Sequence, residues 1–353
     1  MQHFRRFRLI VLAVLFVVAM VTVVVQLRKA APPEAARLLP GADAFVYVNL
    51  QWARRATILA GLPQVNRTPE YRQFIDETGI DFERDLQQAA FAVHYAVSGS
   101  GKANSGSSVL MGHLDAARLR NYFHRVARTV DNEQGVEIFN IPVDDHILRA
   151  AILGPDTVAL SNHDDPQVIR GIVVRSHKRA SPFGGPNFLR TYYKRVPFAS
   201  MAWAIARVDP KMDAKFASGS EGGLTQIPVN PAVLLQSPAV VVASARLIRA
   251  VHLRAETITA NPEEARTLTD KLRGFLTLFQ LSETETPSGG PDADVKAFFQ
   301  SVQVSQEKDR AVLTATMPLE FLKKMFHDPS ASQSGLPDAT HALTPHAAAY
   351  AAR

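Results

Sequence analysis

The sequence predicts an α+β protein: an N-terminal transmembrane helix followed by two similar halves of mainly antiparallel sheet, with helices packed on one face. Three observations carry this. An apolar run from Leu9 to Leu27 holds Thr22 and Gln26 as its only polar side chains. Short β-rich segments follow one another across tight turns such as Asp144-Asp145 and Gly154-Pro155-Asp156, which is how antiparallel strands are joined. The order strand, helices, two strands, helix, strands, helix occurs on both sides of ASPFGGPN at 180–187, and short-turn strands with interspersed helices read as α+β.

The first element is the anchor, residues 1–29. A helix over Leu9–Leu27 is about 28 Å long at 1.5 Å per residue, close to the hydrocarbon thickness of a bilayer. Arg5, Arg6 and Arg8 precede it, so the positive-inside bias keeps the short N-terminus cytoplasmic and exports the body. A cleaved signal peptide fits less well, because the run ends in Arg28-Lys29 and the first small pair, Ala30-Ala31, is followed by Pro32-Pro33. The expected location is therefore an inner or plasma membrane, single-pass, with the lipid bilayer met by residues 9–27.

Charge supports this division. The chain carries 39 basic and 33 acidic residues. Five of the basic ones and no acid lie in residues 1–29, so the remainder is nearly neutral, at 34 against 33. A near-neutral body lacks the field that draws a protein onto a phosphate backbone, and nucleic acid is not an expected partner. The chain has no cysteine, which excludes thiol catalysis, disulfides, thiolate metal sites and a lipidated cysteine.

Residues 30–37 read as a Pro-stiffened tether. The first half, 38–179, opens on Leu38-Leu39-Pro40 and a strand at Ala44–Leu50, with helices expected near 51–61 and 68–89. Strands at Phe91–Val97 and Ser108–Gly112 flank a flexible SGSGKANSGS loop. From Asp115 to Val130, Leu119, Tyr122, Phe123, Val126 and Val130 form one stripe and Arg118, Asn121, Arg125 and Arg128 the opposite one, as in a helix lying on a sheet. Strands at Val136–Val143, Ile147–Leu153 and Thr157–Ser161 and a helix from Pro166 close the half.

After the 180–187 linker, the second half, 188–327, has strands at Phe198–Val208, 239–245, 250–259, Val302–Ser305 and Ala311–Thr316. Its clearest helix starts at Asn261-Pro262 with Glu264 completing a capping box. A further helix is expected from Pro318. Residues 328–353, rich in Ala, Ser, Pro and His, read as a disordered tail.

The apolar anchor, the Pro-containing tether, Leu38-Leu39-Pro40 leading into Ala44–Leu50, and the segment VHLRAETITANPEEARTLTDKLRGFL together resemble uncharacterised membrane-anchored bacterial envelope proteins. These are of the domain-of-unknown-function type that opens with a Leu-Leu-Pro strand motif. The resemblance implies an extracytoplasmic location and assigns no activity or catalytic residue.

Motifs that carry chemistry mostly fail on spacing. Gly101-Lys102 lacks the upstream glycine and the following Ser or Thr of a phosphate loop. Ser100 and Ser220 lack the upstream glycine of a nucleophile elbow, and Ser305-x-x-Lys308 falls in a hairpin turn without its companion motifs. Arg175, His177, Lys178 and Arg179 read as cations at a helix C-terminus. One constellation remains. Asp144, Asp145 and His146 form one turn and Asn162, His163, Asp164 and Asp165 another. Carboxylate and imidazole ligands on adjacent turns can hold a divalent cation, through Asp144, Asp145, His146, His163 and Asp164. The same residues also serve as turn and cap formers.

The function expected from sequence is a non-enzymatic binding or scaffold module of the cell envelope with no required cofactor, facing an envelope protein or the cell wall. The alternative is an extracytoplasmic metal-assisted hydrolase using the Asp/His turns.

Overall fold

In the computed structural model the described residues are 31–55, 68–96, 104–144, 146–178, 184–210, 234–282 and 293–320. The anchor, the SGSGK loop, half of the linker, all but the start of the helix expected from Pro318, and the tail lie outside them. Among the described residues no helix is long and apolar enough to cross a membrane.

A short helix α1 (Glu34–Leu38) runs into Leu39-Pro40 and strand β1 (Ala44–Asn49), followed at once by α2 (Leu50–Arg55). Helix α3 (Pro69–Thr78) starts at Thr68, whose hydroxyl accepts from the Tyr71 amide, and ends at Gly79 with φ of 72°. That left-handed position is cheap only for glycine, so the helix expected over 68–89 stops there. A one-turn α4 (Phe82–Asp85) gives way to β2 (Leu86–His94) and then β3 (Ser105–Gly112). Gly112 has no room for a Cβ, which would lie 2.2 Å from the Asp85 carbonyl oxygen, beside the register shift between Leu86 and Gln88.

Helix α5 (Ala116–Val126) is capped by Asp115, which accepts from the amides of Ala117 and Arg118. It is shorter than expected, because Thr129–Glu133 forms edge strand β4 instead of a last helical turn. Strands β5 (Val136–Val143), β6 (His146–Ile152) and β7 (Thr157–Ser161) match the expected meander within a residue or two and lead to α6 (Gln167–His177). The chain then forms α7 (Asn187–Tyr193), β8 (Ala202–Val208), β9 (Ala239–Leu247), β10 (Val251–Ile258), α8 (Pro262–Ser282), α9 (Ala293–Ser301), β11 (Gln303–Glu307) and β12 (Arg310–Met317).

All these strands form one sheet in the order β11-β12-β10-β9-β8-β1-β2-β3-β7-β6-β5-β4, with antiparallel pairing throughout. The α+β class therefore holds, as a single large sheet. The first strand of the second half, β8, pairs with the first strand of the first half, β1, placing Tyr47 opposite Trp203 and Phe45 opposite Ile205.

The expectation of helices on one face is corrected. Partners in an antiparallel ladder share a face, so Ile138, Ala151, Ala159 and Val109 point one way and Phe139, Ala150, Val158 and Ile152 the other. The first set packs with Phe45, Tyr47 and the apolar residues of α1, α6 and α7 in one core. The second packs beneath Leu119 and Phe123 of α5 and Phe74 of α3 in another. A sheet buried on both faces needs consecutive apolar residues, not alternation, and Phe139 after Ile138 and Ala151-Ile152 after Ala150 provide them. Below, the face of Phe45 is called the first face and that of Phe139 the second.

Helix α8 begins as the sequence indicates. Asn261 Oδ1 accepts from the Glu264 amide at 2.9 Å, and Asn261 Nδ2 donates to Glu264 Oε1 at 2.9 Å. Glu264 also accepts from Ser237. Replacing an N-cap asparagine by alanine removes a partner from an end amide, so Asn261→Ala is expected to lower unfolding stability by about 1 kcal/mol. Denaturant melts of the full chain in detergent measure this, and an unchanged midpoint would contradict the capping role.

Candidate functional site

The β5-β6 and β6-β7 pairings put the Asp144-Asp145 turn and the 162–165 turn at the same end of the sheet. They do not meet. Ser161, the last residue of β7, lies opposite Arg149, while the hairpin continues until His146 lies opposite Val143. Three further residues at about 3.3 Å each put the tip roughly 10 Å beyond the end of β7. His146 is exposed and sits on the second face, in register with Val143, whereas His163 meets His94, which belongs to the first face. Asp144 holds a left-handed turn position, with φ of 48°. Asp164 is exposed, and Asp145 lies outside the described residues.

The space beside the 162–165 turn is taken by a cation of the chain itself. The Arg149 guanidinium donates to the carbonyl oxygens of His163 at 2.6 Å and Asp164 at 3.3 Å. Asp165 Oδ1 accepts from the Gln167 amide as α6 begins, the cap role written into the sequence. Among the described residues no three His, Asp or Glu side chains are grouped to hold a metal ion.

What the fold does bring to this turn is a histidine pair. The rings of His94 and His163 stand edge to face, centroids 4.8 Å apart. His163 Nδ1 accepts from the Asp165 amide at 3.0 Å, so its proton sits on Nε2. Asn162 is clamped to Gly106 in both directions, its side-chain oxygen accepting at 2.6 Å and its amide donating at 3.1 Å. Ser107 and Ser161 hydroxyls share a buried hydrogen bond at 2.9 Å. The Nε2 atom of His94 is buried with no hydrogen-bond partner among the described residues. Burial, followed by the neighbouring His163, pushes the His94 imidazole below its ordinary value near 6.5, against a smaller upward pull from Asp43. Sequence gave no sign of this pair, because His94 ends a strand and His163 lies 69 residues further along.

A second charged group lies on the first face of the second half. Glu256 is 5% exposed in the middle of β10. Arg254 donates to its Oε1 at 2.9 Å through Nε and reaches the same oxygen at 2.8 Å through Nη2. Arg310 donates to Oε2 at 3.1 Å, and Arg195, just past α7, lies 3.6 Å from the same oxygen. Glu307 bridges Arg254 and Arg310 at 3.5 Å each. A buried carboxylate is tolerable only when paired, and this one ties β10, β12 and the segment after α7 together. The legible signal was Arg254 and Glu256 two apart in a strand, hence on one face.

The basic cluster at the end of α6 is partly internal. Arg175 donates through Nε to the Leu38 carbonyl at 2.8 Å, closing α1 against α6, and burial lowers its pKa. Glu137 is held by Arg120 at 3.3 Å and by His124 Nε2 at 3.1 Å, and it lines an open cleft of about 680 Å³ with Arg120, Asn132 and the Gly154-Pro155 turn.

No protein-family model matches the chain, and no curated protein does either. Solved structures of TP0453 are similar to it. Crystal form I gives a TM-score of 0.43 at 11% identity over 83% of this chain and 96% of that one. Crystal form III gives 0.41 at 11% identity over 83% and 97%, and crystal form IV 0.39 at 10% over 84% and 98%.

The depressed pKa of His94 makes stability depend on pH. A base whose folded pKa is depressed takes up protons more readily when unfolded. Its share of stability is therefore full above about 6.5 and falls as pH drops from there toward the lower folded value. The unfolding midpoint is expected to decline between pH 7 and 5, with a shallower decline in His94→Gln. Melts of both proteins across that range test this, and parallel curves would contradict it.

Proposed function

We propose that this chain is a membrane-tethered, non-enzymatic module of the cell envelope, its N-terminus cytoplasmic and its body extracytoplasmic, and that it binds an apolar segment of another envelope protein. The observation that carries the reading is a strip on the second face of the sheet across the β8-β1-β2 seam. Val46, Val48, Phe91, Val93, Ala204 and Ala206 point to that side by register and belong to neither core cluster. Phe91 is 38% exposed and the others are mostly half-buried. A floor of aliphatic and aromatic groups on fully paired strands offers no hydrogen bonds, which favours an apolar protein segment over a cell-wall glycan.

The same reading takes the body as two similar halves about the seam. Helix, strand, two further strands, helix and a returning strand that pairs with the third occur in each, as α1-β1-β2-β3-α5-β7 and α7-β8-β9-β10-α8-β12. Leu39-Pro40 before Ala44-Phe45-Val46-Tyr47 is echoed by Val196-Pro197 before Ala202-Trp203-Ala204-Ile205. Such a duplication yields one broad platform with its middle strands at the seam.

The metal-assisted hydrolase is the competing reading, and one pair of measurements separates them. Zn²⁺, Mn²⁺ or Ca²⁺ is expected to leave the melting midpoint of the full chain unchanged. A photo-crosslinking residue at Phe91 is expected to give a discrete protein adduct in cells, lost when Val46→Lys is added, while one at Asp131 on the β4 edge gives none. Saturable stabilisation by a metal, abolished by His163→Ala or Asp144→Asn, would favour the hydrolase. Equal adducts at Phe91 and Asp131 would remove the strip.

A further inference from the structure

Between α8 and the second face of the sheet lies a cavity of about 170 Å³. Its floor includes Val241, Ala255 and Ala311, and Leu268 and Leu272 of α8 form its roof. Among the described residues lining it, Thr257 carries the one polar side chain. The floor residues sit in paired register, Thr257 opposite both Val241 and Ala311, so their backbone groups are engaged in the ladders. The space is open on one side, with Val241, Ala255, Leu272 and Leu313 half-buried around it; water there finds a side-chain partner only in Thr257, so an apolar occupant that displaces it gains from burial.

The corresponding space in the first half is filled. Beneath α5, Phe123 packs on Phe139 with centroids 5.4 Å apart, and Phe74 meets Tyr122 edge-on at 5.4 Å. Under α8 the floor includes two alanines, Ala255 and Ala311, beside Val241 and Leu313, and Phe275 of the helix is 48% exposed. Interiors are close-packed, and deleted side-chain volume normally draws the surroundings inward. Here polar contacts at the rim hold the roof in place: the Asn261–Glu264 cap, Gln306 Nε2 donating to the Pro262 carbonyl at 2.8 Å, Lys271 Nζ to that of Leu234 at 3.2 Å, and Arg273 to that of Val304 at 3.1 Å. These contacts tie α8 to its neighbours around the rim.

We propose that this cavity is a binding site for a hydrocarbon group about the size of one aromatic ring, held by contact alone. It stands independently of the partner strip over the seam. The test uses the full chain in detergent, labelled at leucine methyl groups and titrated with benzene. Leu268, Leu272 and Leu313 methyl signals are expected to shift saturably while Leu119, beneath α5, stays unmoved. Filling the floor with Ala311→Leu should raise the half-saturating benzene concentration at least tenfold; Ala255→Val serves if that variant loses the native methyl spectrum. Shifts that fail to saturate in the unsubstituted chain, that appear equally at Leu119, or that persist unchanged in a folded filled variant would overturn the site.

Discussion

The pairing of β1 with β8 is the constraint on which the rest of the structure depends. It joins two stretches of chain that are separated by about 160 residues, and it makes one sheet of what would otherwise be two smaller ones, each with an extra open edge. Tyr47 and Trp203 stack across it with centroids 5.5 Å apart, and Tyr193 of α7 closes on Trp203 at 5.3 Å. Aromatic rings contribute large buried areas and a further increment from ring geometry, so this cluster holds the seam from the first face. Tyr47 keeps its polar end satisfied by donating to Gln88 at 3.0 Å, and burial lifts its phenol to about 12. The Leu-Leu-Pro opening belongs to the same assembly: Leu38 and Leu39 are buried beside Phe45, and Arg175 fixes the Leu38 carbonyl.

The two faces of the sheet then take different roles. On the first face the cores of both halves run together under α1, α6 and α7, and the Glu256 network extends that grip to β10 and β12. The carboxylate is the buried member of the group, while Arg195, Arg254 and Arg310 reach it from partly exposed positions, so the group is best understood as a clasp on the segment after α7. On the second face, α5 and α8 stand apart. Between them the seam strands present small and aliphatic side chains, and under α8 the packing is incomplete. The proposed partner strip and the proposed site under α8 therefore lie on one face.

Much of this was legible in the sequence where local chemistry decides. The β5-β6-β7 meander was marked by turn residues at both hairpins, and the α8 start by Asn261, Pro262 and Glu264. Where a strong pattern ran past its stop signal, the reading overran: Gly79 ends α3 although the helical pattern continues, and β4 competes for the last turn of α5. Long-range pairing left no local trace. The meeting of His94 with His163 and of Arg195 and Arg310 with Glu256 arises from strand order and register. The acidic turns illustrate the limit, since chain direction placed them correctly at one end of the sheet while register and face kept their side chains apart.

A seam of this kind is expected to make the whole sheet unfold as one cooperative body. Trp203 is 3% exposed at that seam, and the chain's other tryptophan, Trp52, is 41% exposed, so Trp52→Phe leaves a single buried reporter at β8. Unfolding this variant in urea while following Trp203 fluorescence and far-ultraviolet circular dichroism tests the claim directly. Coincident transitions with one midpoint are the predicted result. A Trp203 transition at clearly lower urea than the loss of secondary structure would show that the seam opens before the halves unfold, and would contradict it.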